Sequence, residues 1–217
     1  VAISKMVSES ISIGNYYQAH KVFKISIGMM IGIGCLFSAI LFVFAPQIAS
    51  LMNNKDAALG MQMIAPALIL VPTMAAFRGY FQGMQNMKPT AVSQVTEQLF
   101  RVVIGLGLAY VMFFKTIGNS TYDRYARGAA GANFGATAGA FGGLLIIGLI
   151  YYLSRKNINK RVDRTESLGS ADSKRIVKRI LQIAVPITIG AAILPVMNLV
   201  DSAIVMNRLT SAAGFSQ

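Results

Sequence analysis

Apolar residues fill this chain in long runs divided by short polar breaks. An α-helix needs about 20 consecutive apolar residues to cross the hydrocarbon of a bilayer. The pattern predicts spans at 24–49, 58–83, 89–114, 126–153 and 180–206. Residues 1–6 read as the tail of a preceding helix. Pro66 and Pro72 fall in the second span, and Pro186 and Pro195 in the fifth. Pro66 and Pro72 break helix hydrogen bonds and should kink the second span. Pro89 opens the third span, where the missing N–H is no loss. The expected fold is all-α and integral to a membrane, with about five complete spans.

The stretch RGYFQGMQNMKPTAVSQVTEQLFR, residues 78–101, breaks this pattern. Polar and ionisable groups sit inside spans there, and at membrane depth such groups mark a substrate path or a partnered ion pair. Ser93, Gln94, Glu97, Gln98 and Arg101 recur at helical spacing and form one stripe, which Gly105 continues. Arg78, Gln82 and Gln85 form a similar line on the preceding helix. Only a short turn at 86–88 separates the two helices, so they should be antiparallel neighbours. Arg78 and Glu97 then lie at similar depth, roughly 10 Å from the turn at 1.5 Å per residue, with Arg101 about one turn deeper. Glu97 can pair with Arg101 on its own helix or with Arg78 across the hairpin. Two readings stay open. The ions neutralise one another and clamp the hairpin, or the surplus positive charge faces a water-filled cavity and holds an anionic cargo. Arginine suits phosphate because its planar fork gives bidentate hydrogen bonds. Gln82, Gln94 and Gln98 offer amides suited to sugars.

Composition adds direction. The chain has 217 residues, 54% hydrophobic and 13% charged, and a net charge of +12. So basic a soluble protein would suggest nucleic acid, but no aromatic–basic interleaving supports that. Fifteen of the twenty basic residues fall in the loop before the first span, around the 86–88 turn, and between the fourth and fifth spans. These three regions share one side of the membrane, and the positive-inside rule makes that side the cytoplasm, facing anionic lipids. The stretch 155–179 is the densest. Its start reads as a linker, and its end, SKRIVKRIL, is amphipathic and suited to lie along the inner interface.

The remaining signals are structural. Gly131, Gly135, Gly139 and Gly143 repeat every fourth residue, with Ala132, Ala136 and Ala140 beside them. Such a line lets two helices approach closely in lipid, and Gly28 and Gly32 give a shorter version. Cys35 in an apolar run reads as a small packing residue. His20 reads as lying in a polar loop with no metal-ligand companion. No metal cluster, nucleophile elbow, phosphate loop or paired acids of a glycosidase are visible, so no catalytic residue and no cofactor are expected. Asn198 and Asp201 near the outer end of the fifth span, followed by Arg208, are secondary candidates for a cavity or a cap.

The block at 78–101 closely resembles the signature of the SpoVB/MurJ-like polysaccharide-biosynthesis proteins, within the multidrug/oligosaccharidyl-lipid/polysaccharide flippase superfamily. AISKMVSES near the start and NLVDSAIVMNRL near the end resemble that family too. The resemblance implies a MATE/MurJ-like helical bundle of two pseudo-symmetric lobes, of which this chain would be an internal piece. Residues 1–154 would belong to the N-terminal lobe, 155–179 would be the basic cytoplasmic interlobe linker, and 180–217 would open the C-terminal lobe. It also implies a multi-pass protein of the cytoplasmic membrane. Such a protein flips an undecaprenyl-pyrophosphate-linked oligosaccharide such as lipid II by alternating access, with a coupling ion the sequence does not name. Arg78, Gln82, Gln94, Glu97, Gln98 and Arg101 occupy the matching motif positions. A multidrug antiporter of the same fold would want an acidic, aromatic cavity, whereas this island is net basic. A membrane polymerase or glycosyltransferase acting on the same lipid would need a catalytic acid or base on a large outer loop. The loops at 53–57 and 115–125 are too short for that. A non-transporting scaffold is the remaining alternative.

Overall fold

The computed structural model describes residues 1–51, 57–115, 121–163, 165 and 172–212. Among the described residues there are seven helices and no strand: α1 (Ala2–Ser12), α2 (Tyr16–Leu51), α3 (Ala57–Ile64), α4 (Ala67–Gly83), α5 (Lys88–Lys115), α6 (Thr121–Asp163) and α7 (Ser173–Ala212). Among the described residues, five stretches are long and apolar enough to cross a membrane: Tyr16–Ser50, Ala58–Gly83, Lys88–Phe114, Arg127–Asp163 and Ser173–Asn198. Most of the outer loops expected at 53–57 and 115–125, residues 166–171 of the expected linker and the side chain of Arg208 lie outside what is described.

The helix ends follow from local chemistry. Gly14 takes φ +74°, a conformation glycine adopts without strain, and this ends α1. Asn15 then caps α2, its side-chain oxygen accepting the Gln18 N–H at 2.8 Å. The first span therefore starts earlier than its apolar run suggests. His20 lies within α2, buried beside Phe23 and Tyr80, rather than in a loop. The two prolines of the second span act differently. Pro66 separates α3 from α4, whereas α4 continues through Pro72. At the other end of α4, Asn86 N–H donates to the Phe81 carbonyl and Gln85 N–H to that of Gln82, both at 3.0 Å. This paired arrangement closes the helix with its C′ residue in the left-handed region, and Gln85 sits there at φ 58°.

Packing concentrates at the end that carries the basic stretch. Ile3, Met6 and Val7 of α1, Val22 and Phe23 of α2, Tyr80 of α4, Ile158 of α6, and Ile176 and Ile180 of α7 form one buried cluster. Polar ties surround it. Arg179 pairs with Glu9 at 2.8 Å, Tyr17 N–H donates to the Thr165 hydroxyl at 3.0 Å, and the Arg161 guanidinium lies over the Tyr16 ring. The stretch read as a linker is helical on both flanks, since α6 reaches Asp163 and α7 starts at Ser173. The amphipathic segment runs straight into the fifth span with no intervening turn. Beyond Ile180, α7 exposes Leu181, Val185, Ile187, Ile189, Ile193 and Leu194. Apolar side chains on the outside of long helices suit a hydrocarbon surround, where the helical backbone satisfies its own polar groups.

Close approach also occurs where glycines permit it, though not at every expected glycine. Gly28 and Gly32 face open space, whereas a Cβ on Gly34 would lie 2.7 Å from the Leu68 carbonyl oxygen. Cys35 is exposed rather than packed. An evenly apolar run does not reveal which of its faces is covered.

Gln85→Gly removes the Cβ conflict of a left-handed residue, which costs roughly 1–2 kcal/mol. The expected result is a higher thermal unfolding midpoint for the intact protein in detergent. An unchanged or lower midpoint would show that the turn carries no strain.

Candidate functional site

The polar island resolves into an ion triad at the meeting of three helices. α4 supplies Arg78, α5 supplies Ser93, Glu97 and Arg101, and α6 presents its glycine line to α5. Arg78 donates from Nε to the Ser93 hydroxyl and from Nη2 to Glu97 Oε2, both at 2.9 Å. The Ser93 hydroxyl in turn donates to the Thr90 carbonyl at 2.9 Å. Arg101 donates from Nη2 to Glu97 Oε1 at 2.8 Å, one helical turn along. The two pairings that spacing left open are thus made together, one on each carboxylate oxygen.

Exposure differs sharply among the three. The side chains of Glu97 and Arg78 are 9% and 16% exposed, and that of Arg101 is 42% exposed. One carboxylate faces two guanidiniums, so the triad keeps one positive charge. An ionised carboxylate sealed from water must be paired and hydrogen-bonded, and deleting one partner of a buried pair typically costs about 3–5 kcal/mol. Arg78 and Glu97 therefore lock α4 to α5 at this level.

The glycine line fixes the other side of the stripe. A Cβ on Gly139 would lie 2.7 Å from the Glu97 carbonyl oxygen and 3.0 Å from Arg101 Cβ. On Gly143 it would lie 3.1 Å from Glu97 Cβ and 3.2 Å from the Ser93 carbonyl oxygen. Gly135 meets Gly105 and the Arg101 carbonyl, and Gly131 meets the backbone at Leu108 and Ala109. Each of these four glycines thus abuts the α5 backbone or Glu97 Cβ at a successive turn. The long partner of α5 is accordingly α6, and its contact with α4 is limited. Ser93 and the α6 glycines complete the site although the sequence assigned them only packing or stripe membership. Their shared period near four residues was the available signal.

The stripe itself divides. Ser93 and Glu97 are buried, while Gln94 and Gln98 are exposed on the adjoining face. Arg101 lies at the edge between the two rows, three residues from Gln98 and four from Glu97. On α4, Gln82 is half-buried. Asn198 and Asp201 are exposed on α7, which packs against α1 and α2. Among the described residues no three of His, Cys, Asp or Glu gather as metal ligands.

Comparison with known proteins places this arrangement in a family. The model of the polysaccharide biosynthesis protein family matches residues 1–214. The chain belongs to this family. Three relatives come from Bacillus subtilis strain 168. The lipid II flippase MurJ is 31% identical over 212 residues, 93% of this chain and 38% of the relative. An uncharacterized membrane protein, YabM, is 34% identical over 183 residues, 84% of this chain and 33% of its own. Stage V sporulation protein B is 29% identical over 189 residues, 87% and 34% respectively. The chain therefore spans between a third and two-fifths of these relatives. No solved structure matches it. Membership and the five apolar stretches make this a multi-pass protein of the cell membrane with a MurJ-like helical bundle.

Gly139→Ala would press a methyl group onto α5 backbone, and overpacking of this kind costs about 1–3 kcal/mol. A lower unfolding midpoint is expected for Gly139→Ala. Gly148→Ala on the same helix, where nothing lies within 4 Å, should cause no loss. Equal effects at both positions would remove the close-packing account.

Proposed function

We propose that this chain is part of a flippase that carries an undecaprenyl-pyrophosphate-linked oligosaccharide, such as lipid II, across the cell membrane. The observation that carries the reading is the surplus positive charge of the Arg78–Glu97–Arg101 triad inside an apolar bundle. A pyrophosphate is the complementary charge, and exposed Gln94 and Gln98 beside Arg101, with Gln82 nearby, suit the hydroxyls of an attached sugar. The relative MurJ is a lipid II flippase, which supports the same cargo here. Asn198 and Asp201 remain secondary candidates on α7.

In this reading residues 1–154 form part of a first lobe and 180–217 open a second, with 155–179 between them on the cytoplasmic side. Anionic lipids of the inner leaflet would meet the basic residues of that segment. The triad would lie near the cytoplasmic end of α4 and α5, where cargo enters. Transport by alternating access needs a cavity that binds the cargo in both states, and the driving ion is a separate matter. Residues placed this way bind and release without bond-breaking. A cation antiporter fits less well, because a net positive site repels its substrate.

Reconstitution of the intact protein into liposomes tests the proposal. Lipid II labelled on its sugar is placed inside, and its arrival outside is read with a membrane-impermeant quencher. The expected outcome is translocation at least tenfold above protein-free liposomes. Background-rate movement of lipid II, with uptake of an organic cation by the same preparation, would overturn the assignment in favour of an antiporter.

A further inference from the structure

The two arginines of the triad are not equivalent. Arg78 has both donors on one edge of its fork engaged, Nε with Ser93 and Nη2 with Glu97. Its side chain is 16% exposed and bridges two helices. Arg101 is held by a single bond from Nη2 to Glu97, within its own helix, and is 42% exposed. Its Nε is buried and lacks an acceptor among the described residues. A buried N–H without a partner is unfavourable, and native structures rarely leave one. The usual remedy for such a fork is an acceptor that spans Nε and Nη2 together, the geometry that a phosphate or carboxylate supplies.

We propose that Arg101 is the exchangeable cation of the site. An entering phosphate or pyrophosphate takes its guanidinium from Glu97, while Arg78 stays and keeps the carboxylate paired. The inference rests on the flippase reading for its cargo and adds a division of labour within the triad. Three features make the exchange feasible. Glu97 keeps its bond to Arg78 through Oε2, so no carboxylate is left buried and alone. The α6 glycines hold the backbone and Cβ of Arg101, so the head of the side chain moves without the helix. Arg101 also borders the exposed row of Gln94 and Gln98, where the rest of a polar ligand would lie. Glu97 then acts as a competitor for Arg101. It screens the positive charge in the empty site and yields when a doubly charged anion arrives. Arg78 and Ser93 are positioning residues that touch no ligand.

The test uses the intact protein in phosphatidylcholine nanodiscs, with undecaprenyl pyrophosphate as probe. Bound lipid is counted by native mass spectrometry, and the unfolding midpoint is measured in parallel. Arg101→Ala should weaken binding at least tenfold with little change in midpoint, and Arg101→Lys should recover part of the loss. Arg78→Lys should lower the midpoint, because the bonds to Ser93 and Glu97 together need the guanidinium fork. Glu97→Gln should tighten binding threefold or more, because the competitor is gone. Arg101→Ala binding like wild type, or Glu97→Gln weakening binding as Arg101→Ala does, would overturn the exchange. If Glu97→Gln fails to fold, the Arg101 pair decides alone. A second arm replaces phosphatidylcholine with phosphatidylglycerol. Displacement of the probe by that lipid in wild type but not in Arg101→Ala supports the anion site and names a membrane headgroup as a second source. Wild-type protein that binds neither lipid contradicts the exchange and the cargo reading together. Binding that is independent of Arg101 contradicts the exchange alone.

Discussion

A carboxylate held away from water needs positive partners at hydrogen-bond distance, and the placement of three helices follows from meeting that need for Glu97. Arg78 reaches it from α4 and Arg101 from one turn along α5. Ser93 holds the far end of the Arg78 fork, so the direction of that guanidinium is set by two acceptors. The remaining side of Glu97 must be closed by something small. Gly139 and Gly143 do this, since a methyl group at either would crowd the Glu97 backbone or Cβ. The glycine line of α6 and the ion triad of α4 and α5 are therefore one device. Lipid offers no hydrophobic force to press helices together, and here backbone approach and a desolvated ion pair supply the specificity.

That device was legible in part from spacing. The period of Ser93, Glu97 and Arg101 on one helix and of Gly131 to Gly143 on another predicts two stripes. Depth measured from the 86–88 turn predicts that Arg78 can meet Glu97. Sequence alone did not reveal that the two stripes face each other, because either could have met a different neighbour. Nor did it separate Gln94 and Gln98 from Glu97. Neighbouring positions on one broad stripe differ in burial only once the partner helix is placed. The choice between Pro66 and Pro72 as the breaking point was hidden for a similar reason. His20 reads as a loop residue because a polar start to a membrane helix looks like a loop until the cap at Asn15 is seen. Cys35 and Gly28 lie on faces that a uniform apolar run cannot sort.

The basic end has its own logic. Positive residues from 155 onward decorate two helix ends, α6 to Asp163 and α7 from Ser173. Ile176 and Ile180 anchor the start of α7 among α1 and α2, and Arg179 pairs with Glu9. Above that anchor the described side chains of α7 are mostly exposed. The first two turns of α7 thus pack in one cluster with α1, α2, α4 and α6. In the flippase reading, this seam lies at the cytoplasmic face, below the triad and beside the route by which cargo would enter.

The central claim is that Glu97 holds Arg78 firmly and Arg101 loosely. Two double-mutant cycles on the unfolding free energy of the intact protein compare them directly, one for Arg78 with Glu97 and one for Arg101 with Glu97. The account expects a coupling of about 3 kcal/mol for the buried interhelical pair. It expects about 0.5 kcal/mol for the half-exposed pair one turn apart. Equal couplings, or a larger one for Arg101, would contradict it.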